Sequence, residues 1–258
     1  MPRTTLVSAG ELAARLADPD WLVVDCRFDL SDRDAGVRTW EAGHIPGAIH
    51  ADLERDLSAP VTPKTGRHPL PPIDALVATL SRWGVTGGTQ VIAYDAGNSA
   101  YAARLWWMLR YLGHDAVAVL DGGYAAWLAE GQPVSDASVE RRPGRFVARP
   151  RPEMLCDATG VAEALARGEL VVDVRGAERF AGKVEPLDTV AGQPYIHARI
   201  GSNDVLIAET GTSRDVGQRI TLAYRIPARS SCPLRAAAFG LARDPRRRLL
   251  TRFAGPRA

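Results

Sequence analysis

Short apolar runs alternate with helix-like stretches through the first half of the chain. The runs of strand length are residues 21–26, 48–53, 90–94 and 116–120. Apolar side chains recur at helical spacing in residues 11–16, 73–83, 100–112 and 124–130. Strands that alternate with helices form parallel sheets covered on both faces. This half is therefore predicted to be an α/β domain.

One of these runs is repeated. The hexapeptide LVVDCR at residues 22–27 returns as LVVDVR at residues 170–175. Each copy follows an Ala/Leu-rich helical stretch and precedes a polar segment that ends in glycine, at Gly43 and at Gly192. A repeat this long indicates two related domains, because the units of solenoid proteins are only about 20–50 residues long. After Gly192 the parallel stops.

The repeat and a proline-rich stretch divide the chain. We predict a first domain over residues 1–135 that folds alone, a linker over 136–152, and a second domain over 153–258. The second domain begins with a helix (156–166) and a strand (170–174). Its later pattern is weaker: residues 205–208 and 220–224 are possible strands, and residues 234–241 a possible helix.

Composition restricts the class of protein. A chain of 258 residues with 46% apolar residues fits two globular domains. Its three cysteines form neither a disulfide framework nor a C-x-x-C metal site. The first residues lack the apolar core of a signal peptide, and no stretch reaches the roughly 18 apolar residues of a membrane span. We expect a cytoplasmic location, with no membrane partner.

Charge is concentrated near the end of the chain. From Arg214 onward the sequence contains eleven arginines but only two acidic residues, Asp215 and Asp244. The whole chain, by contrast, carries a net charge of only +2. One interpretation is an arm for nucleic acid or acidic lipid. The other is a solvated, disordered or mistranslated tail, which we favour because aromatic residues are few among the arginines. We expect no nucleic-acid partner.

Several motifs carry a family resemblance. They are VDCR (24–27), GHIPGA (43–48), YD (94–95), ARLWWMLR (103–110), GH (113–114) and LDGGYAAW (120–127). In this order and spacing they resemble the tandem-domain rhodanese family of thiosulfate and 3-mercaptopyruvate sulfurtransferases, over about residues 5–135. VDVR (172–175), ERF (178–180) and residues 182–192 extend the resemblance into the second half.

The resemblance implies a fold and an activity. The fold would be α/β, with two rhodanese-like domains whose mainly parallel central sheets are flanked by helices, the second domain incomplete. The activity would be transfer of a sulfane sulfur from a small anionic donor to a thiol or cyanide acceptor through a cysteine persulfide, without cofactor or metal. The alternative is a non-catalytic rhodanese-like binding module.

The resemblance also places site residues. In the first domain the nucleophile position holds Asp95, so that domain would be catalytically silent, while Glu54 and His68 would lie near the substrate. His68 could equally be an ordinary exposed loop histidine. Arg179 matches the arginine that holds the anionic donor; the alternative is a surface ion pair with Glu178 or Asp188. The mercaptopyruvate branch often has an arginine where Asp188 stands.

The catalytic loop is missing from the pattern. The family's nucleophile opens a Cys-Gly-x-Gly-like loop, whose glycines let backbone N–H groups surround the thiolate. After residue 192 the only cysteine is Cys232, and Pro233 removes one N–H donor. Cys232 is the candidate nucleophile, but impaired catalysis is expected. A shifted reading frame or a recombined 3′ end would be the simplest cause of this divergence.

Three further features have structural interpretations. Asp25 and Asp173, at strand ends, could accept hydrogen bonds from loop amides as structural caps or act in catalysis. Trp106 and Trp107 are expected in the core and at a domain interface. Cys26, inside a buried strand, is expected to be an inert apolar residue.

Overall fold

The computed structural model describes residues 1–62, 65, 68–167, 170–173, 205–212 and 219–226. The strands of the first sheet are β1 (Leu6–Val7), β2 (Trp21–Asp25), β3 (Ile49–His50), β4 (Gln90–Tyr94) and β5 (Val117–Leu120). They lie in the order β1-β5-β4-β2-β3, and every pair is parallel. The helices between and after them are α1 (Ala9–Ala13), α2 (Ala35–Ala42), α3 (Ile73–Arg82), α4 (Ala100–Tyr111) and α5 (Gly123–Ala129). The predicted α/β class is confirmed.

Helices cover both faces of this sheet. Leu22 and Val24 of β2 pack into one apolar cluster, which includes residues of α3 and α4. Val23 points the other way and packs with Leu12 of α1 and Trp127 of α5. Successive side chains of a strand face opposite sides of the sheet, so a strand covered on both sides is apolar throughout. This explains the unbroken LVV run.

Helix α4 carries the paired tryptophans. Trp106 and Trp107 are 5% and 6% exposed and belong to the cluster on the α3–α4 face of the sheet. Their expected place in the core is confirmed. The Trp106 indole also donates a hydrogen bond of 2.9 Å to the Thr4 carbonyl, which ties the start of the chain to α4.

Two elements differ from the sequence prediction. Helix α2 was not expected, because only Gly36 of its residues is buried and it shows no apolar stripe. Strand β3 is two residues long instead of spanning residues 48–53. It stops where the Asp52 carboxylate accepts hydrogen bonds from the amides of Glu54 and Arg55 and so forms a turn.

A second sheet lies in the later half. A short 3-10 turn (Pro152–Met154) leads into β6 (Leu155–Cys156), α6 (Ala158–Ala166), β7 (Leu170–Asp173), β8 (Val205–Thr212) and β9 (Arg219–Ile226). The order is β6-β9-β8-β7, with β7 and β8 parallel and the pairs involving β9 antiparallel. Asp173 at the end of β7 pairs with Ala208, as Asp25 pairs with Tyr94 in the first sheet. The helix expected over residues 234–241 lies outside the described residues.

Residues 136–151, which make up all but the last residue of the predicted linker (136–152), lie along the surface of the first domain, and we call them the strap. The Arg141 guanidinium donates hydrogen bonds of 2.9 Å to the carbonyls of Trp21 and Pro19. Phe146 is 5% exposed and joins the core cluster that contains α3 and α4. The strap is thus packed against the domain that precedes it.

Within the part of the chain that the structure describes, no helix is both long and apolar enough to span a membrane.

Candidate functional site

A pocket opens beyond the carboxyl ends of β2 and β4. Its lining residues are Phe28, Asp29, Leu30, Ala96, Asn98 and Tyr101, and its volume is about 290 Å³. In parallel α/β sheets, ligands bind outside the carboxyl ends of the strands, where the strand order reverses direction. Strand β2 leads to β3 on one side, and the chain then returns to β4 on the other. The pocket therefore occupies the expected place for a ligand.

Asp95 follows β4 directly and occupies a cradle of backbone N–H groups. One carboxylate oxygen accepts hydrogen bonds from Gly97 at 3.0 Å and Ser99 at 2.9 Å. The other accepts from the amides of Tyr101 at 3.0 Å and Ala102 at 3.2 Å, in the first turn of α4. The side chain is 1% exposed. Four N–H donors at a helix N-terminus stabilise an anion, and here that anion belongs to the chain itself.

The loop around Asp95 adopts unusual backbone geometry. Ser99 has φ of 60°, and among the described residues it is the only one other than glycine with positive φ. Gly123 packs so closely that an added Cβ would lie 2.6 Å from the Asp95 carbonyl oxygen. Left-handed backbone at a residue other than glycine has an energetic cost, and it persists where the surroundings fix it. The contacts of Asp95 with its four amides fix this loop.

Asp25 and Arg27 form a buried cross-link beside the loop. The Arg27 guanidinium donates to both oxygens of Asp25, with a shortest distance of 2.6 Å, and to the Gly43 carbonyl at 2.8 Å. The Tyr94 hydroxyl donates to Asp25 at 2.7 Å. Arg27 also lies 4.2 Å from the centre of the Tyr124 ring, a cation–π distance. One network thus joins four of the sequence motifs.

The chemistry of this network is structural. Asp25 is fully buried and Arg27 is 9% exposed. Burial lowers the pKa of Arg27, but its hydrogen bonds and charge interaction with Asp25 outweigh that effect, so the net pKa is raised. Burial, reinforced by the negative Asp25, raises the pKa of Tyr94. Arg27 therefore stays charged and Tyr94 stays neutral at neutral pH, as expected of a brace. These contacts support the interpretation of Asp25 as a cap.

Glu54 and His68 lie close to each other beside the pocket. The His68 Nε2 lies 3.9 Å from a carboxylate oxygen of Glu54, which also lies 3.3 Å from Arg33 Nε. The His68 side chain is 16% exposed and meets the Phe28 ring edge-on at 6.2 Å between ring centres. His68 is therefore a half-buried neighbour of the pocket wall. The roles assigned to these two residues remain predictions.

Arg104 of α4 holds the segment that carries His68. Its guanidinium donates to the Leu57 carbonyl at 3.0 and 2.8 Å and to the His68 carbonyl at 2.9 Å. The planar guanidinium with several donors suits such multiple contacts. Sequence reasoning used Arg104 only as part of a motif and missed this function. An arginine inside a largely apolar helix was the available signal.

The cysteines of the described residues do not form a thiolate site. Cys26 is 1% exposed, and burial, together with Asp25, Asp95 and Asp56, raises the pKa of its thiol well above the usual value. Cys156 is partly exposed in β6, with its sulfur 3.6 Å from the Asp157 carbonyl oxygen. Cys232 and Arg179 lie outside the described residues. No cluster of His, Cys, Asp or Glu suited to a metal ion occurs in the described ranges.

Sequence reasoning also missed Phe28, Asn98 and Tyr101, which line the pocket. Phe28 directly follows the Asp-x-Arg motif at the end of β2, and the other two follow Asp95. Their position after the carboxyl ends of two central strands was the signal that could have found them.

The α/β fold of the first half, with its parallel sheet covered by helices on both faces, is that of a rhodanese-like domain. A family profile described as "Rhodanese-like domain" matches residues 8–130. A relative from Pseudomonas aeruginosa, described as a probable 3-mercaptopyruvate sulfurtransferase, is 48% identical over 195 residues, which are 74% of this chain and 69% of the relative. The chain belongs to the rhodanese family.

Two further comparisons agree. The 3-mercaptopyruvate sulfurtransferase of Escherichia coli is 33% identical over 189 residues, 72% of this chain and 66% of that protein. The crystal structure of SseA from Escherichia coli, described as a 3-mercaptopyruvate sulfurtransferase with the rhodanese fold, aligns with a TM-score of 0.64 and 30% identity. That alignment covers 80% of this chain and 74% of SseA. These relatives support a sulfurtransferase function.

Proposed function

We propose that this chain is a sulfurtransferase of the thiosulfate/3-mercaptopyruvate type with impaired turnover. In this proposal a cysteine thiolate attacks the outer sulfur of thiosulfate or the thiol sulfur of 3-mercaptopyruvate. The sulfur–sulfur or carbon–sulfur bond of the donor breaks, sulfite or the enolate of pyruvate leaves with the electron pair, and the cysteine becomes a persulfide. The persulfide then passes its outer sulfur to a thiol or cyanide and returns to the thiolate. Arg179 would hold the donor, and Glu54 and His68 would face it from the first domain.

The observation that carries the proposal is the cradle around Asp95. It has four N–H donors suited to an anion, but the anion is a carboxylate, which cannot accept a sulfane sulfur to form a persulfide. The buried, raised-pKa thiol of Cys26 cannot replace it. Sulfur transfer would therefore depend on Cys232 in the second half. That cysteine is followed by a proline and not by a glycine-rich loop.

Steady-state turnover tests this proposal. The full chain is assayed with 3-mercaptopyruvate and with thiosulfate, with cyanide as acceptor and the Pseudomonas aeruginosa relative in parallel. We expect turnover far below the roughly 1–10³ per second of ordinary enzymes. The residual activity should disappear in Cys232→Ser and persist in Cys156→Ser. Turnover equal to that of the relative would overturn the impairment, and activity that survives Cys232→Ser would overturn the assignment of the nucleophile.

A non-catalytic binding module is the second candidate. The internally occupied cradle favours it, because its four N–H donors bind the Asp95 carboxylate, a group that cannot form a persulfide. Calorimetric titration with thiosulfate distinguishes the two. Binding without any product in the turnover assay would favour the module, whereas slow product formation would favour the impaired enzyme.

A further inference from the structure

The strap is held at one place by three consecutive residues. Gly113, His114 and Asp115 lie between α4 and β5, and each contacts a different strap residue. They contact Arg149, Phe146 and Arg151 respectively. The sequence pattern singled out Gly113-His114, but neither residue borders the pocket or the cradle. Their role must therefore be sought elsewhere.

Gly113 provides the close approach. It has φ of +83°, and an added Cβ would lie 2.5 Å from the Arg149 carbonyl oxygen. Beside it, the Arg149 amide donates to the Leu112 carbonyl at 2.8 Å, and the Arg151 amide donates to Tyr111 at 2.8 Å. Only glycine accommodates both this backbone conformation and this proximity. The strap backbone is thus bonded to the end of α4.

His114 provides the apolar contact. It is 6% exposed, its Nε2 lies 2.8 Å from the Thr89 carbonyl oxygen, and the Phe146 ring meets the imidazole edge-on at 5.8 Å. The Phe146 amide donates to Ser81 Oγ at 3.2 Å, and Gly144 donates to the Ser81 carbonyl at 2.8 Å. Phe146 therefore covers the imidazole on the side of the strap.

Asp115 provides the charged contact. Both of its oxygens accept hydrogen bonds of 2.7 Å from the Arg151 guanidinium. Arg110 of α4 lies 3.6 Å from the same carboxylate. The charged group that acts on His114 is thus Asp115 beside it, and Arg110 of α4 and Arg151 of the strap lie against that carboxylate.

We propose that Gly113, His114 and Asp115 form a latch that holds the strap on the first domain, and that the latch opens in mild acid. The physical reason is that a proton on His114 places a charge under Phe146. Release of Phe146 lets water reach that charge. Opening would free the connection between the two sheets, because the strap runs directly into the 3-10 turn before β6.

The direction of the pH effect follows from His114. Burial lowers its pKa, against the opposing effects of the Thr89 and Ala116 backbone and of Asp115. The released state has an ordinary histidine pKa of about 6.5. Above that pH His114 is neutral in both the docked and the released state, and the strap is docked at full strength. As pH falls below about 6.5 the released state binds the proton first, so docking weakens until the lower pKa of the docked state is reached.

Asp115 acts in a different pH range. Its hydrogen bonds from Arg151 lower the pKa of its carboxyl, so its contribution is present above the ordinary value of about 3.9 and is lost below it. Between pH 7.5 and 5.5 Asp115 stays ionised, and a change in docking there reports His114. His44, which lies 3.2 Å from the Ala137 carbonyl oxygen, contacts only the start of the strap.

Amide hydrogen exchange of the full chain tests the latch. Protection factors, corrected for the intrinsic pH dependence of exchange, are measured at pH 7.5 and 5.5 for peptides that cover residues 143–151, β4 and β5. We expect protection of residues 143–151 to fall by up to about tenfold, while β4 and β5 keep theirs. Unchanged protection, or an equal fall in the two central strands, would overturn the proposal without any variant.

Two variants test whether His114 is the group whose protonation releases the strap. His114→Gln keeps an N–H donor for Thr89 and cannot titrate, so residues 143–151 should lose their pH dependence. His50→Gln is the matched control, since His50 lies against the Arg27 carbonyl at the far edge of the sheet. It should keep the full pH dependence. The same fall in His114→Gln as in the wild type would contradict the latch.

Discussion

Replacement of Arg27 by methionine should be strongly destabilising. The change keeps an unbranched side chain of similar length but removes the guanidinium that bonds Asp25 and the Gly43 carbonyl. Asp25 stays fully buried and keeps only the Tyr94 hydroxyl and the Arg27 amide as partners. Loss of one partner of a buried ion pair costs about 3–5 kcal/mol. That is a large part of the roughly 5–15 kcal/mol by which a domain is stable.

Urea unfolding followed by tryptophan fluorescence measures this loss. With a slope of about 1–3 kcal/mol per molar urea, the midpoint should move down by about 1 M or more. Arg38→Met is the matched control: its ion pair with Asp32 is about half exposed on both sides, so the midpoint should hardly move. Arg27→Lys, which keeps the charge but not the fork of donors, should fall between them. Equal midpoints for Arg27→Met and Arg38→Met would refute the role of this cross-link.

Three further predictions concern other parts of the first domain. Cys26 should resist thiol reagents until the protein unfolds, because its thiol is buried with a raised pKa, whereas Cys156 should react in the native state; equal rates would contradict this. Arg104→Ala should cost about 1.5–3 kcal/mol for its lost charged hydrogen bonds and raise amide exchange at residues 57–62, and unchanged exchange there would argue against its holding role. A chain that ends at residue 135 should fold but be less stable than one that ends at residue 151. Its free energy of unfolding should be lower by about 3–5 kcal/mol, because Phe146 is missing from the core, and its urea midpoint should be lower. Equal midpoints would show that the strap does not stabilise the domain.

The elements with the strongest burial were predictable from the sequence. Strand β4 matches its predicted bounds, and α3 and α4 each end one residue earlier than expected. Strand β4 is covered on both faces and the two helices on one face, so each has a regular apolar pattern. Helix α2 has only Gly36 buried. The strap is held by backbone hydrogen bonds, by the guanidinium groups of Arg141 and Arg151, and by one phenylalanine. Neither leaves a periodic apolar signal.

The sequence singled out residues of the site but could not give their geometry. The order of motifs predicts Asp95 at the nucleophile position. It could not show that four amides surround the carboxylate, because that arrangement depends on the left-handed Ser99 and on the close packing of Gly123. Glu54 and His68 were named separately, and their proximity depends on the carbonyl contacts of Arg104 with the intervening loop. Such contacts arise only once the chain has folded.

Mapping of persulfides shows whether the first domain, which has Asp95 in its cradle, contributes a nucleophile. The full chain is incubated with thiosulfate or 3-mercaptopyruvate, digested, and examined by mass spectrometry for cysteine peptides that gain one sulfur atom. We expect no persulfide on Cys26 and at most a small fraction on Cys232. A persulfide on Cys26 would contradict a silent first domain, and full modification of Cys232 together with ordinary turnover would contradict the proposed impairment.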